Sequence, residues 1–205
     1  MLKTLSKFGL LFLGVCVLSA APVFADSTTT FTFIGTLGNI GPTDTFTAGS
    51  LSLVATGYSA PSMTADMWAK NLGPTEAGLG LAAEPQHEIA GTQFIQLNLT
   101  SILATNPSSV SLSVQSIQAG EAYNVWGSNA AGTLGTELGM NQTGATFTLP
   151  SLGSFDFISL SAASGNILLD NVEVVNTPEP SSAGLLLFGL AALVGAGTLG
   201  KKLIA

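Results

Sequence analysis

Residues 108–116 read SSVSLSVQS, and their alternation decides the fold class. Val110, Leu112 and Val114 fall on one side of an extended chain and the intervening serines on the other, because successive strand side chains point to opposite faces. The segment is a half-buried strand, apolar inward and hydroxylated outward. The same period of two recurs on either side. Phe31 and Phe33 alternate with threonines in TTTFTFIGT, residues 28–36, and Ile95, Leu97 and Leu99 alternate with glutamine and asparagine. Further strands are expected over Thr45 to Thr56, Gly78 to Ala82, Ala122 to Gly127, Ala145 to Leu149, Ser154 to Ser161 and Asn166 to Val175, with Gly, Pro, Asn and Ser in the gaps. Only Pro61 to Leu72, PSMTADMWAKNL, offers a helical turn or two. About nine or ten short strands with little helix predict an all-β protein, an antiparallel β-sandwich of jelly-roll type.

Two strands break strict alternation. In NILLDNVEVV, Ile167 and Leu169 share one parity and Val172 and Val174 the other, so a bulge near Asp170-Asn171 is predicted to turn all four inward. In SFDFISL, Phe155 and Phe157 oppose Ile158 and Leu160, which suits a central strand apolar on both faces or a similar bulge.

The 205 residues allow one ordinary domain plus end segments. Mean hydropathy is +0.51, but apolar residues crowd the two termini. At the first, Lys3 and Lys7 precede an apolar run from Phe8 to Ala20, and Val23-Phe24-Ala25 gives small or aliphatic residues where a signal peptidase reads. Residues 1–25 are therefore expected to be a signal peptide cleaved between Ala25 and Asp26. The run is short for a bilayer span, which needs about 20 residues. Val15 before Cys16 does not make a lipobox. Cys16 is the only cysteine and is expected to leave with the leader, so the exported domain has no disulfide and no thiolate chemistry.

The C-terminal run begins after Pro178-Glu179-Pro180, continues as a Gly-, Ala- and Leu-rich span over about 182–200, and ends with Lys201 and Lys202. That length can just cross a bilayer as a transmembrane helix, and lysines beyond it stay in the cytoplasm. Both ends thus predict that residues 26–176 form a domain outside the cytoplasmic membrane. Small residues in the span would also suit pairing of helices.

Val175 to Ser182 with its Pro-Glu-Pro, the apolar span and the basic end together resemble the PEP-CTERM sorting signal of bacterial surface proteins, also known as the ice-binding-protein C-terminal domain. The resemblance covers residues 177–205. It implies recognition by an exosortase-type transpeptidase that cuts near Pro-Glu-Pro, in bacteria that build extracellular polysaccharide. That family usually ends in several arginines, whereas here two lysines precede Leu203-Ile204-Ala205. More loosely, GLGLAAEPQHEIAGTQFIQLNL, AYNVWGSNAAGTLGTEL and FDFISLSAASGNILLDNVEVV resemble the β-sandwich ahead of many such signals, the last also the closing strands of carbohydrate-binding jelly rolls.

No catalytic motif stands out. His87, the only histidine, lies in EPQHEIAG between Glu84 and Glu88, where Pro85 prevents helical presentation of a metal set. A Ser/His/Asp hydrolase lacks its G-x-S-x-G elbow. Glu84, Glu88, Glu121 and Asp156 are candidate paired carboxylates, but sequence does not bring them together. Calcium, which takes oxygen ligands, is the more plausible ion. By resemblance to sugar-binding sandwiches, Asp170 is the first candidate ligand, with Asp26 and Glu173 as partners. Trp126, Tyr123, Trp68 and Tyr58 are candidate stacking platforms for sugar rings, with Trp126 also read as core. Lys70 is the only basic residue between Asp26 and Thr177 and the chain has no arginine, so nucleic acid is excluded as a partner.

The expectation is an exported, non-enzymatic surface or exopolysaccharide-associated protein, held in the membrane by its tail before sorting. A carbohydrate-binding module and a secreted hydrolase are the alternatives.

Overall fold

The computed structural model describes residues 26–177. The leader with Cys16 and the cleavage point after Ala25, the Pro178-Glu179-Pro180 motif, the span at about 182–200, and Lys201 and Lys202 lie outside the described residues. In chain order the first strands are β1 (Ser27–Thr32), β2 (Gly38–Gly41), β3 (Thr43–Ala48), β4 (Leu51–Ala60), β5 (Met63–Thr64), β6 (Met67–Asn71), β7 (Ala77–Leu81), β8 (Ile89–Ala90) and β9 (Phe94–Asn98). After a one-turn helix α1 (Thr100–Leu103) come β10 (Ser109–Gln115), β11 (Ala122–Ser128), β12 (Thr136–Gln142), β13 (Thr146–Thr148), β14 (Phe157–Ser164) and β15 (Asn166–Asn176).

These strands form two packed antiparallel sheets. One runs β13-β10-β15-β7-β6-β2, the other β12-β11-β14-β9-β4-β3, with β5 added to β4. The opening segment behaves as its alternation requires. Val110, Leu112 and Val114 are buried, while the serines of β10 face outward and Ser111 hydrogen-bonds Thr148 of β13 at 2.9 Å. From the other sheet, Ile95, Leu97, Ile158 and Leu160 close the same core.

The last strand organises the first sheet. β10 follows one edge of β15, while β8, β7 and β1 share the other edge in turn. Ser113 pairs with Asn171 and Val114 with Leu169, so Asp170 is the extra residue of a bulge. Ile167, Leu169, Val172 and Val174 are all buried as a result. The bulge falls where β15 changes partner from β7 to β1. Gly78 makes that junction close: its φ is +141°, and a Cβ there would strike the Leu169 carbonyl.

Several segments differ from the sequence reading. Thr45 to Thr56 is two strands, because Gly49 at φ +60° turns the chain back between β3 and β4. Pro61 to Leu72 is not helical: Met67 and Ala69 point into the core and Trp68 and Lys70 away from it, the period of a strand. The described helix is instead α1. Among the described residues fifteen strands stand where nine or ten were expected, since short pairings such as β5 and β8 carry too few residues to show a period. β14 begins at Phe157, because Phe155 lies across Gly127, where a Cβ would meet its ring. Among the described residues no helix is long and apolar enough to cross a membrane.

Candidate functional site

The outer face of β6 and β7 carries the most concentrated chemistry. In their register Trp68 sits opposite Gly80 and Lys70 opposite Gly78. The glycines leave that face bare, and the segment after β7 folds back over it. Hydrogen bonds from Glu84 N to the Leu81 carbonyl (3.3 Å) and from His87 N to the Glu84 carbonyl (2.9 Å) shape the loop, and the Glu84 carboxylate accepts from the backbone of Gln86 and Glu88. A Cβ on Gly80 would run into the His87 carbonyl and the Glu88 Cα, so this approach needs glycine.

His87 takes a left-handed backbone, φ +59°, and lays its imidazole on the Trp68 indole with centroids 3.9 Å apart and planes 16° from parallel. Its Nδ1 is buried and has no hydrogen-bond partner among the described residues. One residue on, Glu88 is 2% exposed, and its Oε1 lies 2.5 Å from Lys70 Nζ. Lys70 also meets Glu76 Oε2 at 2.8 Å. Ser116 Oγ lies 2.9 Å from Glu76 Oε1 and 3.2 Å from Glu88 Oε2, so its single proton serves one carboxylate at a time.

Burial pushes the Glu88 carboxyl above the usual carboxylate range, against the pull of Lys70. The hydrogen bond from Lys70 holds Glu76 below that range, outweighing its partial burial. For Lys70, burial works to lower the ammonium's pKa, but the hydrogen bonds and charges of the two glutamates outweigh it and raise it. Lys70 is 9% exposed and paired with both glutamates. Residues 26–177 hold eleven carboxylic acids and no other lysine or arginine, so their surface is acidic without a free cationic side chain.

A groove of about 520 Å³ opens beside this cluster, lined by Trp68, Lys70, Leu72, Pro85, Gln86 and His87 among others, with Leu37, also in the lining, 56% and Leu72 78% exposed. A second hollow, about 460 Å³, borders the same ion cluster at Glu76 and Ser116.

The other candidate residues lie apart. Tyr123 is fully buried and donates its hydroxyl to the Gly144 carbonyl at 2.8 Å, so it presents no ring face, correcting its reading as a stacking platform. Tyr58 is 6% exposed and stacks on Phe94 at 4.8 Å, which corrects it likewise. Burial pushes both phenols up. Trp126 is half-buried, its indole N–H bonded to Ser161 Oγ at 3.0 Å. Trp68 is on the other sheet from these three, so the four rings do not form one platform.

The outer face around Tyr58 is covered by the segment after β11. Gln96 accepts from Gly132 N at 2.8 Å and donates to the Thr133 carbonyl at 2.9 Å.

Asp170 is half-buried at the bulge and accepts from Asn171 Nδ2. Glu173 is exposed between Thr30 and Ser111. Asp26 precedes Ser27, which pairs with Asn176, so strand rise puts it about 20 Å from Asp170. The structure thus separates Asp26 from the calcium set expected of it. No cluster of three or more His, Cys, Asp or Glu side chains suited to a metal occurs among the described residues. Of the candidate paired acids, Glu121 accepts from the backbone of Gln118 and Asn166, and Asp156 donates its backbone N–H to Asn129 Oδ1. The pair that does converge, Glu76 with Glu88, includes one acid that sequence reasoning did not single out. Comparison of the chain with protein-family models, curated proteins and solved structures finds no match.

Proposed function

We propose that this chain is an exported, non-enzymatic bacterial surface or exopolysaccharide-associated protein: a β-sandwich of jelly-roll type delivered by a leader and sorted through a PEP-CTERM type tail. The observation that carries this reading is the position of the fold boundary. The last strand ends at Asn176, two residues before Pro178-Glu179-Pro180, so cleavage at that motif would leave every strand of the sandwich intact. In this reading an exosortase-type transpeptidase is the processing partner and the tail holds the domain at the outer face of the cytoplasmic membrane beforehand.

The chemistry of the charged cluster supports a role without turnover. A glycosidase needs two acids facing a cleft with different protonation tasks, whereas Glu76 and Glu88 both point at one lysine. The lone histidine is stacked on Trp68 rather than bonded to a nucleophile.

Intact mass of the protein from its native host, taken separately from membrane and external fractions, tests the reading. An external species beginning at Asp26 and ending near Pro-Glu-Pro is the expected result. A cytoplasmic species with its leader attached, or a full tail retained only in the membrane, would overturn it.

A further inference from the structure

We infer that the groove beside Trp68 is a binding site for a neutral polysaccharide, taken by packing of a sugar ring against the stacked Trp68–His87 pair. This deepens the exopolysaccharide part of the function proposed above.

Three observations point to that ligand. The first is the platform itself. Trp68 stands on the outer face of β6 with His87 stacked on its ring, and His87 is fixed by a loop whose base is the buried Lys70–Glu88 pair. An aromatic ring already held in place spares a ligand the cost of ordering it. The second is the mixture of groups around it. Leu37, Leu72 and Pro85 give apolar contact, and Asn71 and Gln86 add amides. A pyranose has the matching character, with C–H faces for an aromatic ring and hydroxyls for the amides. The volume of about 520 Å³ falls within the range of ligand clefts.

The third observation selects the ligand's charge. Residues 26–177 carry eleven acids, and their one lysine is enclosed between Glu76 and Glu88. Lys70 is among the residues that line the groove, but its ammonium is already paired with Glu76 at 2.8 Å and Glu88 at 2.5 Å, so uronic or sulfated glycans would meet an acidic surface without a free cation to pair their groups. An uncharged chain meets none.

The test uses the full chain with Trp126→Phe, which leaves Trp68 as the only indole. Suspensions of cellulose, mannan and α-glucan serve as neutral probes and alginate as the acidic one, with retention and Trp68 emission measured together. Saturable retention on a neutral probe with a shift in emission is expected, and little retention on alginate. Adding Trp68→Ala is expected to weaken retention about tenfold, the scale of an interface anchor. Because Trp68 also supports the loop, Leu72→Ser, at a side chain 78% exposed, provides a second variant that leaves the fold alone. It is expected to weaken retention about threefold at an unchanged unfolding midpoint. Absence of retention on all three neutral probes overturns the inference, as does equal retention on alginate or unchanged binding in both variants. None of these results touches the masses of the sorted protein, so the site and the sorting proposal fail separately.

Discussion

Replacing Lys70 by methionine isolates the energetics of the charged cluster. Methionine fills most of the lysine's volume, so the change removes charge more than packing. Glu76 has a side chain 32% exposed and can turn to water, but Glu88 is 2% exposed and cannot. The cost therefore falls on one buried carboxylate that loses its partner, about 3 kcal/mol at the lower end of the range for breaking a buried pair. For a domain of this size that is a drop of roughly 10 °C in Tm.

The loss should depend on pH. In the native chain the depressed Glu76 contributes stability above its unfolded pKa, lost as pH falls through its folded value. Glu88 has the opposite sign: its folded pKa is raised, so its contribution is full below the unfolded value and lost as pH rises through the folded one. Without Lys70 the largest opposition to the rise of Glu88 and the largest cause of the depression of Glu76 are both removed, leaving the hydrogen bonds of Ser116. The deficit of Lys70→Met is thus largest at pH 7 and shrinks toward pH 4. Urea unfolding of the full chain at both pH values, followed by tryptophan emission, measures it. Adding Glu88→Gln should restore most of the loss at pH 7 and little at pH 4. A deficit under about 1 kcal/mol, or one equal at both pH values, would refute the assignment of a buried, charged Glu88.

Gly80→Ala is expected to push the His87–Glu88 backbone off β7, destabilising the chain by about 1–3 kcal/mol and changing Trp68 emission. Gly35→Ala, where a Cβ meets open space, should stay within about 0.5 kcal/mol in the same urea experiment. Gln96→Leu leaves the Gly132 N–H and the Thr133 carbonyl without their bonds to its amide, so hydrogen exchange at Gly132 should accelerate while core amides such as Leu97 remain protected.

What the sequence made legible was whatever a period of two can encode. The β10 serines and Phe31 of β1, with Phe33 just beyond it, announced their faces directly, and the parity change in β15 placed its bulge near Asp170-Asn171, where Asp170 is the extra residue. Lys70 shows the limit. Its strand lay in the one stretch, Pro61 to Leu72, that offered a helical turn or two, yet Trp68 and Lys70 there are the outer face of β6. Its partners Glu76 and Glu88 stand six and eighteen residues away, and no local pattern ties a loop acid to a strand lysine. A single cation inside an otherwise acidic stretch was the one usable signal. Tyr123 and Tyr58 failed as stacking candidates for a related reason. Composition shows that an aromatic residue is present, but its exposure depends on what the other sheet and the segment after β11 lay over it.

The placement of β15 also bears on when this domain can fold. Its neighbours β1, β7, β8 and β10 are spread over nearly the whole length from Ser27 to Gln115, and none of them pairs directly with β1 in its absence. A chain emerging from its N-terminus therefore holds the first strand without a partner in its sheet until residues 166–176 arrive. Such long-range closure makes assembly late and slow. The same delay leaves β1 with an unpaired edge until the last strand of its sheet is available.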